Sequence, residues 1–236
     1  MLTVKEVYEA IDAFAPFASQ ESWDNSGLLV GGMAQPADRI LTTLDISEAI
    51  VAQAVAEQVQ LVVAHHPVIF SPLKTLPPDS PVYQLAAHGI AAICVHTPLD
   101  MAPLGLNTFA HTLLEKPLAL QGTQEVLEPS WTDGRGFGWI DTSARTWTPQ
   151  TLAQTLQTAF GEVRYSAAER SIRKIAYCSG SAASMLELAA AKGCDALITG
   201  DIKLRHGTLC RRHSGGTDPK GVACGTGDRE RRQKSG

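Results

Sequence analysis

The chain has 236 residues, 44% of them hydrophobic and 19% charged, enough apolar material for one large or two small domains with a real core. No run approaches the roughly 18 apolar residues of a membrane span, and the first residues lack a basic, then apolar, leader pattern, so a cytosolic (cytoplasmic) protein with no membrane partner is expected. The net charge of −4 is unevenly spread: from Lys203 to Gly236 nine Lys or Arg face three Asp or Glu, a balance of +6, while the other 11 basic and 21 acidic residues give −10, an acidic body unsuited to phosphate backbones.

The basic tail carries no aromatic residue for stacking, so nucleic acid is not an expected partner. Five cysteines, without Cys-x-x-Cys spacing, argue against a disulfide framework and a thiolate zinc site; Cys94, Cys178 and Cys194 read as core residues. In chain order, Thr3 followed by Glu6 is a capping box for an amphipathic helix whose Val4, Val7, Ile11 and Phe14 share a face, and Pro16 ends it. The polar turn Glu21-Ser-Trp-Asp-Asn-Ser-Gly27 then feeds a short strand. Asp24 and Asn25 can form an Asx turn there or lean into a metal or substrate site. Arg39–Ser47 contains a strand, Ser47 caps a helix with Ile50, Val51, Ala54 and Val55 on one face, and a second strand follows, which makes a parallel unit with a right-handed crossover.

That second strand, Leu61-Val-Val-Ala64, is continuously apolar and ends in His65-His66-Pro67. Ligands bind at the C-terminal ends of strands in open α/β sheets. Neighbouring side chains on a strand point to opposite faces, so both imidazoles serve one cluster only if the backbone bends at this step. The proline-rich stretch from Ser71 to Pro81 reads as an exposed loop, and Pro81 starts a helix that Gly89 stops. The pattern then repeats: the apolar strand Ala91–Val95 ends in His96-Thr-Pro-Leu-Asp100. Strands lie roughly 5 Å apart, so His96 or Asp100 falls within reach of a metal held by His65 and His66. Imidazoles and carboxylates without thiolate suit zinc, iron or manganese. Asn107–Leu114 continues as a helix on which His111 reads as packed or surface.

Between Pro117 and Thr148 the pattern is weak. Gly134-Arg-Gly-Phe-Gly-Trp-Ile-Asp141 reads as a strand with glycines at close approaches, not as a nucleotide loop, and Thr148-Pro149 opens a helix. Arg173–Ser181, a helix to Lys192, and Cys194–Asp201 repeat the strand-helix-strand unit, with Asp201 at the position of His65. The turn after Cys178 can cradle a phosphate or be an ordinary capped turn. The expected fold class is α/β: two pseudo-symmetric lobes of strand-helix-strand units forming a layered α/β sandwich, with a metal site in the crevice between them. The lobes are placed at 1–116 and 117–203, followed by a basic, Gly-rich tail at 204–236 that is expected to be disordered.

Glu21-Ser-Trp-Asp-Asn-Ser-Gly-Leu-Leu-Val-Gly31, Ala64-His-His-Pro-Val-Ile-Phe70, His96-Thr-Pro-Leu-Asp100, Gly105-Leu-Asn107 and Asp195-Ala-Leu-Ile-Thr-Gly-Asp201 resemble, in this order, the Nif-three-like family. Its members are often labelled dinuclear-metal-centre hexameric proteins or GTP cyclohydrolase I type 2 homologues. The resemblance implies a toroidal homohexamer and two divalent metal ions, with His65, His66 and Asp100 as ligands and His96, Asp24 and Asn107 close by. In that reading Asp100 bridges the ions, and His96 or Asp24 is general base or orienter. The implied function is metal-dependent hydrolysis of a nucleotide or pterin-like small molecule; a non-enzymatic metal-binding scaffold and an inactive truncated member are the alternatives. The family's closing Gly-His-x-x-x-Glu segment, which supplies two further ligands, has no counterpart after Ile202 in this sequence.

Overall fold

The computed structural model describes residues 1–131, 133–165, 170–201 and the backbone of 223–226. By packing, the chain divides into two units, Met1–Gly105 and Leu106–Gly236.

In the first unit, Thr3 caps α1 (Val4–Phe14): its hydroxyl accepts from the Glu6 N–H, and the Glu6 carboxylate accepts from the Thr3 N–H, which is the capping box expected from sequence. There follow β1 (Gly27–Val30), β2 (Ile40–Thr43), α2 (Glu48–Ala56), β3 (Leu61–Ala64), α3 (Pro81–Ala87), β4 (Ala91–Cys94) and α4 (Thr97–Met101). Ser47 and Ser80 cap α2 and α3 through their side-chain oxygens. Among the described residues the sheet order is β1-β4-β3-β2, with β2, β3 and β4 parallel and β1 antiparallel to β4.

The apolar runs of β3 and β4 are explained by burial on both faces. Leu61, Ala91, Ile93 and Val95 pack with Val4 of α1 and with Phe17. Val62, Ala64, Ala92 and Cys94 pack on the other face with Val51 and Ala54 of α2 and Leu85 of α3. Burying a side chain the size of Leu61 or Leu85 contributes about 1.5–3 kcal/mol.

The second unit repeats the layering. It comprises α5 (Leu106–Glu115), β5 (Glu125–Pro129), β6 (Gly136–Trp147), α6 (Pro149–Phe160), β7 (Val163–Tyr165), β8 (Ile172–Cys178), α7 (Leu186–Ala191), β9 (Ala196–Thr199) and β10 (Ala223–Thr226). Among the described residues the sheet order is β5-β6-β8-β9-β10-β7. Trp139, Ile175 and Ile198 pack with Leu114 of α5 and with Leu152 and Leu156 of α6, while Ile140, Ala176 and Leu197 pack on the opposite face with Ala189 of α7. As expected from the repeat, β8 and β9 are parallel, like β2 and β3. The glycines of β6 are close approaches: a Cβ on Gly136 would meet the Glu128 carbonyl, and one on Gly138, at φ +67°, the Tyr177 carbonyl.

The observed class is therefore α/β, with each sheet sandwiched between helices. Two details differ from the sequence reading. Helix α5, which a boundary at 116 assigns to the first lobe, belongs to the second unit, because Leu114 is buried with Trp139 and Leu152. Within the tail, 223–226 forms β10, parallel to β9 and antiparallel to β7; the rest of 204–236 lies outside the described residues. Among the described residues no helix is long and apolar enough to cross a membrane.

Candidate metal centre

Parallel pairing of β3 with β4, with Ala64 opposite Cys94, makes both strands release their histidines at the same edge of the sheet. The backbone leaves the strand after Ala64, so the His65 and His66 rings, instead of pointing to opposite faces, lie with centroids 4.9 Å apart. His96 joins them: one nitrogen from each of His65, His66 and His96 lies within 4.8 Å of the others, a grouping that could hold a metal ion. Asp100 lies on the short helix α4. Its Oδ2 is 4.0 Å from His65 Nε2.

Each imidazole is held from behind. His65 Nδ1 lies 2.9 Å from the Val95 carbonyl, His66 Nδ1 2.7 Å from Asp45 Oδ1, and His96 Nδ1 2.8 Å from Asp24 Oδ1. Carbonyl and carboxylate oxygens only accept, so Nδ1 is the donor in all three rings. A neutral imidazole with its proton on Nδ1 leaves the Nε2 lone pair free. Three such lone pairs beside a carboxylate form a nitrogen-and-oxygen donor set that fits a divalent zinc, iron or manganese ion, and a carboxylate or carbonyl behind each ligating histidine is the arrangement metal sites use.

The support of His96 is dense. β1 pairs antiparallel with β4, Gly27 opposite Cys94, so the turn that precedes β1 lies against the end of β4. There the Asp24 carboxylate, with no exposed surface, accepts from His96 Nδ1, the Thr97 N–H and hydroxyl, the Ser26 hydroxyl and the Asn25 N–H. Burial opposes its charge, but these donors hold its pKa far below the usual carboxylate range. With its oxygens so engaged, Asp24 has the geometry of an orienter of His96. Burial likewise works against a charge on His96, yet the bond to Asp24 outweighs it and its pKa is raised. Burial lowers that of His65 despite the nearby Asp100.

Asp45 was not recognised from sequence as a site residue. Its signal was present: it stands two residues beyond β2, as His66 stands two beyond β3, and Thr43 is paired with Ala64. Asn107 and His111 lie in the second unit. Asn107 is buried and its Oδ1 accepts from the Ser179 N–H, while Thr199 Oγ1 accepts from the Ala182 N–H, so two N–H groups of the turn after Cys178 are held from distant segments. Among the described residues, neither the 3-10 turn Ala183–Met185 nor α7 has a side-chain cap of its own. His111 is packed, with Nε2 2.9 Å from Asp141 Oδ2.

The sequence profile of Duf34/NIF3 (NGG1p interacting factor 3) matches residues 2–214. The chain belongs to this family. Among its relatives, the GTP cyclohydrolase 1 type 2 homolog of Streptococcus pneumoniae is 33% identical over 217 residues, covering 85% of this chain and 77% of that protein. The GTP cyclohydrolase 1 type 2 of Helicobacter pylori is 34% identical over 210 residues, covering 86% and 78%. The fold is that of a Bacillus cereus protein related to NIF3, a crystal structure that superposes with a TM-score of 0.80 at 18% identity over 96% of this chain and 88% of that one. The Duf34/NIF3 match includes every residue of the histidine cluster and both carboxylates behind it.

Proposed function

We propose that this Duf34/NIF3 chain is a divalent-metal-dependent hydrolase of a nucleotide or pterin-like small molecule. The observation that supports the reading is the cluster of three imidazoles with Nδ1 tied and Nε2 free, beside Asp100. His65, His66 and Asp100 would hold the metal, with His96 adjoining it. When bound, divalent ions in such a site supply Lewis acidity and a water that ionises near neutral pH. The chain's own part is to orient the donors: Asp24 keeps the His96 proton on Nδ1 and its Nε2 turned to the cluster, ready to take a proton from a reacting group. Relatives named GTP cyclohydrolase 1 type 2 favour a purine as the group attacked. We extend the proposal to two ions per chain, zinc, iron or manganese, and to a homohexamer, as the family resemblance implies.

The test is turnover of GTP and of simple phosphoesters by protein reconstituted separately with each metal, beside elemental analysis. The expected result is activity that follows metal content and is lost in His66→Ala. Activity unchanged by that substitution would overturn the reading, and full metal occupancy without turnover would make the ions structural. One ion per chain in place of two would show that the first unit supplies a site without the ligands expected from the tail.

A further inference from the structure

Two large aromatic side chains stand in water beside the histidines. Trp23 is 57% exposed and Phe70 52%, although aromatic surface is the kind folding most readily buries. They come from different segments, the turn before β1 and the loop after His65-His66-Pro67. Asn25 brings these together, its Nδ2 donating to the Ile69 carbonyl at 2.6 Å. The backbone on both sides is anchored: Asp24 by its hydrogen bonds, Val68 and Ile69 by packing on the core beneath α2 and α3. The two rings are therefore displayed by rigid mounts.

Their placement is specific. The Trp23 and Phe70 centroids are 6.2 Å apart with planes tilted by 46°, and both rings stand almost upright on the His96 imidazole, at 6.0 Å and 78° and at 6.3 Å and 81°. They form a tilted aromatic pair that adjoins the histidine whose proton Asp24 fixes. We propose that Trp23 and Phe70 are a stacking platform for the planar heteroaromatic ring of the substrate, a purine or pterin, and that they bring that ring to His96. The choice of ring rests on the hydrolase reading above. A ring inserted between the two would need about 7 Å, twice the optimal carbon–carbon contact, so the ligand is not sandwiched; with the planes tilted by 46°, it stacks on the Trp23 face and meets Phe70 at an angle. Stacking of this kind selects for flatness and π-surface and is tolerant of the hydrogen-bonding edge.

The test uses the full chain stripped of metal, with guanosine as the probe and calorimetry or tryptophan quenching as the readout. Guanosine is expected to bind, and ribose 5-phosphate is expected not to displace it. Trp23→Ala and Phe70→Ala should each weaken binding by about 10-fold, the scale of one lost base–aromatic stack, while Trp23→Phe retains most of it. Metal content on reconstitution should be the same in all variants. Absence of guanosine binding to the parent chain, equal affinity in Trp23→Ala, or a Trp23→Ala variant that changes oligomeric state but not guanosine affinity would each overturn the platform. Because the assay needs neither metal nor turnover, a chain that binds guanosine through Trp23 yet hydrolyses nothing refutes the hydrolase reading alone. A chain that hydrolyses phosphoesters while its guanosine affinity ignores Trp23 refutes the platform alone.

Discussion

Both units of this molecule pair a histidine with a buried aspartate, and the pairs have opposite orientation. In the first unit Asp24 binds His96 at Nδ1, leaving Nε2 beside two other imidazoles. In the second, Asp141 binds His111 at Nε2, and the ring is buried edge-on to Trp139. The Asp141 carboxylate has no exposed surface and also accepts from the N–H groups of Gly122, Thr123 and Thr142. Similar layers and similar residue types thus give a ligand-ready imidazole in one unit and a structural tie between α5, β6 and the 122–123 turn in the other. Which ring nitrogen the carboxylate takes decides the outcome.

The largest effect that would break this contrast is on stability. Asp141→Ala leaves His111 and three backbone donors without their acceptor inside the second unit, and should cost about 3–5 kcal/mol in chemical denaturation while leaving metal affinity per folded chain unchanged. A loss of metal affinity there would show that the second pair is not merely structural. Next comes Asp24→Asn, which removes the charge behind His96. Turnover by the metal-loaded chain should fall about 100-fold, the scale of a lost general base, while metal affinity measured by competition with a chelator stays near that of the parent. A metal affinity that falls by about 10–100-fold would place His96 inside the metal-holding set.

The smallest effect is in the pH dependence of the metal-free chain, read by NMR titration of the imidazole protons. His96 should titrate above 6.5 and His65 below it. The signs then oppose one another. For His96, with its folded pKa raised, the extra stability is fully present below 6.5 and is lost as pH rises through the folded value. For His65, with its folded pKa lowered, acidification below 6.5 protonates the unfolded chain first and so destabilises the fold. In Asp24→Asn the His96 titration should move down, since the hydrogen bond and charge of Asp24 are the main influences that raise it and Asp100 only adds to them.

Much of the first unit was legible because its signals are local. Thr3 with Glu6, Ser47, and Pro81 before Gly89 announce helix ends through contacts a few residues long, and the unbroken apolar runs of β3 and β4 announce strands covered on both faces. Strand parity alone puts the His65 and His66 side chains on opposite faces and makes a shared cluster conditional on a bend; the bend itself is visible only in the fold, where the ring centroids lie 4.9 Å apart. What stayed hidden depends on pairing between distant segments. β5 and β7 are short and take their stability from neighbours in the sheet, and α4 is a single turn set by the proline after His96. His111 could not be matched to Asp141 across 30 residues without the fold, and Asp45 gained meaning only once the register of β2 on β3, with Thr43 opposite Ala64, was known.

The three supports behind the cluster also differ in heritability. Asp24 and Asp45 are side chains, so a single codon change can weaken, lengthen or neutralise them. The acceptor behind His65 is the main-chain carbonyl of Val95, which every residue type at that position would provide. Mutation can therefore shift the tautomer and basicity of two of the three rings while the third keeps its proton on Nδ1, a fixed reference point within the cluster.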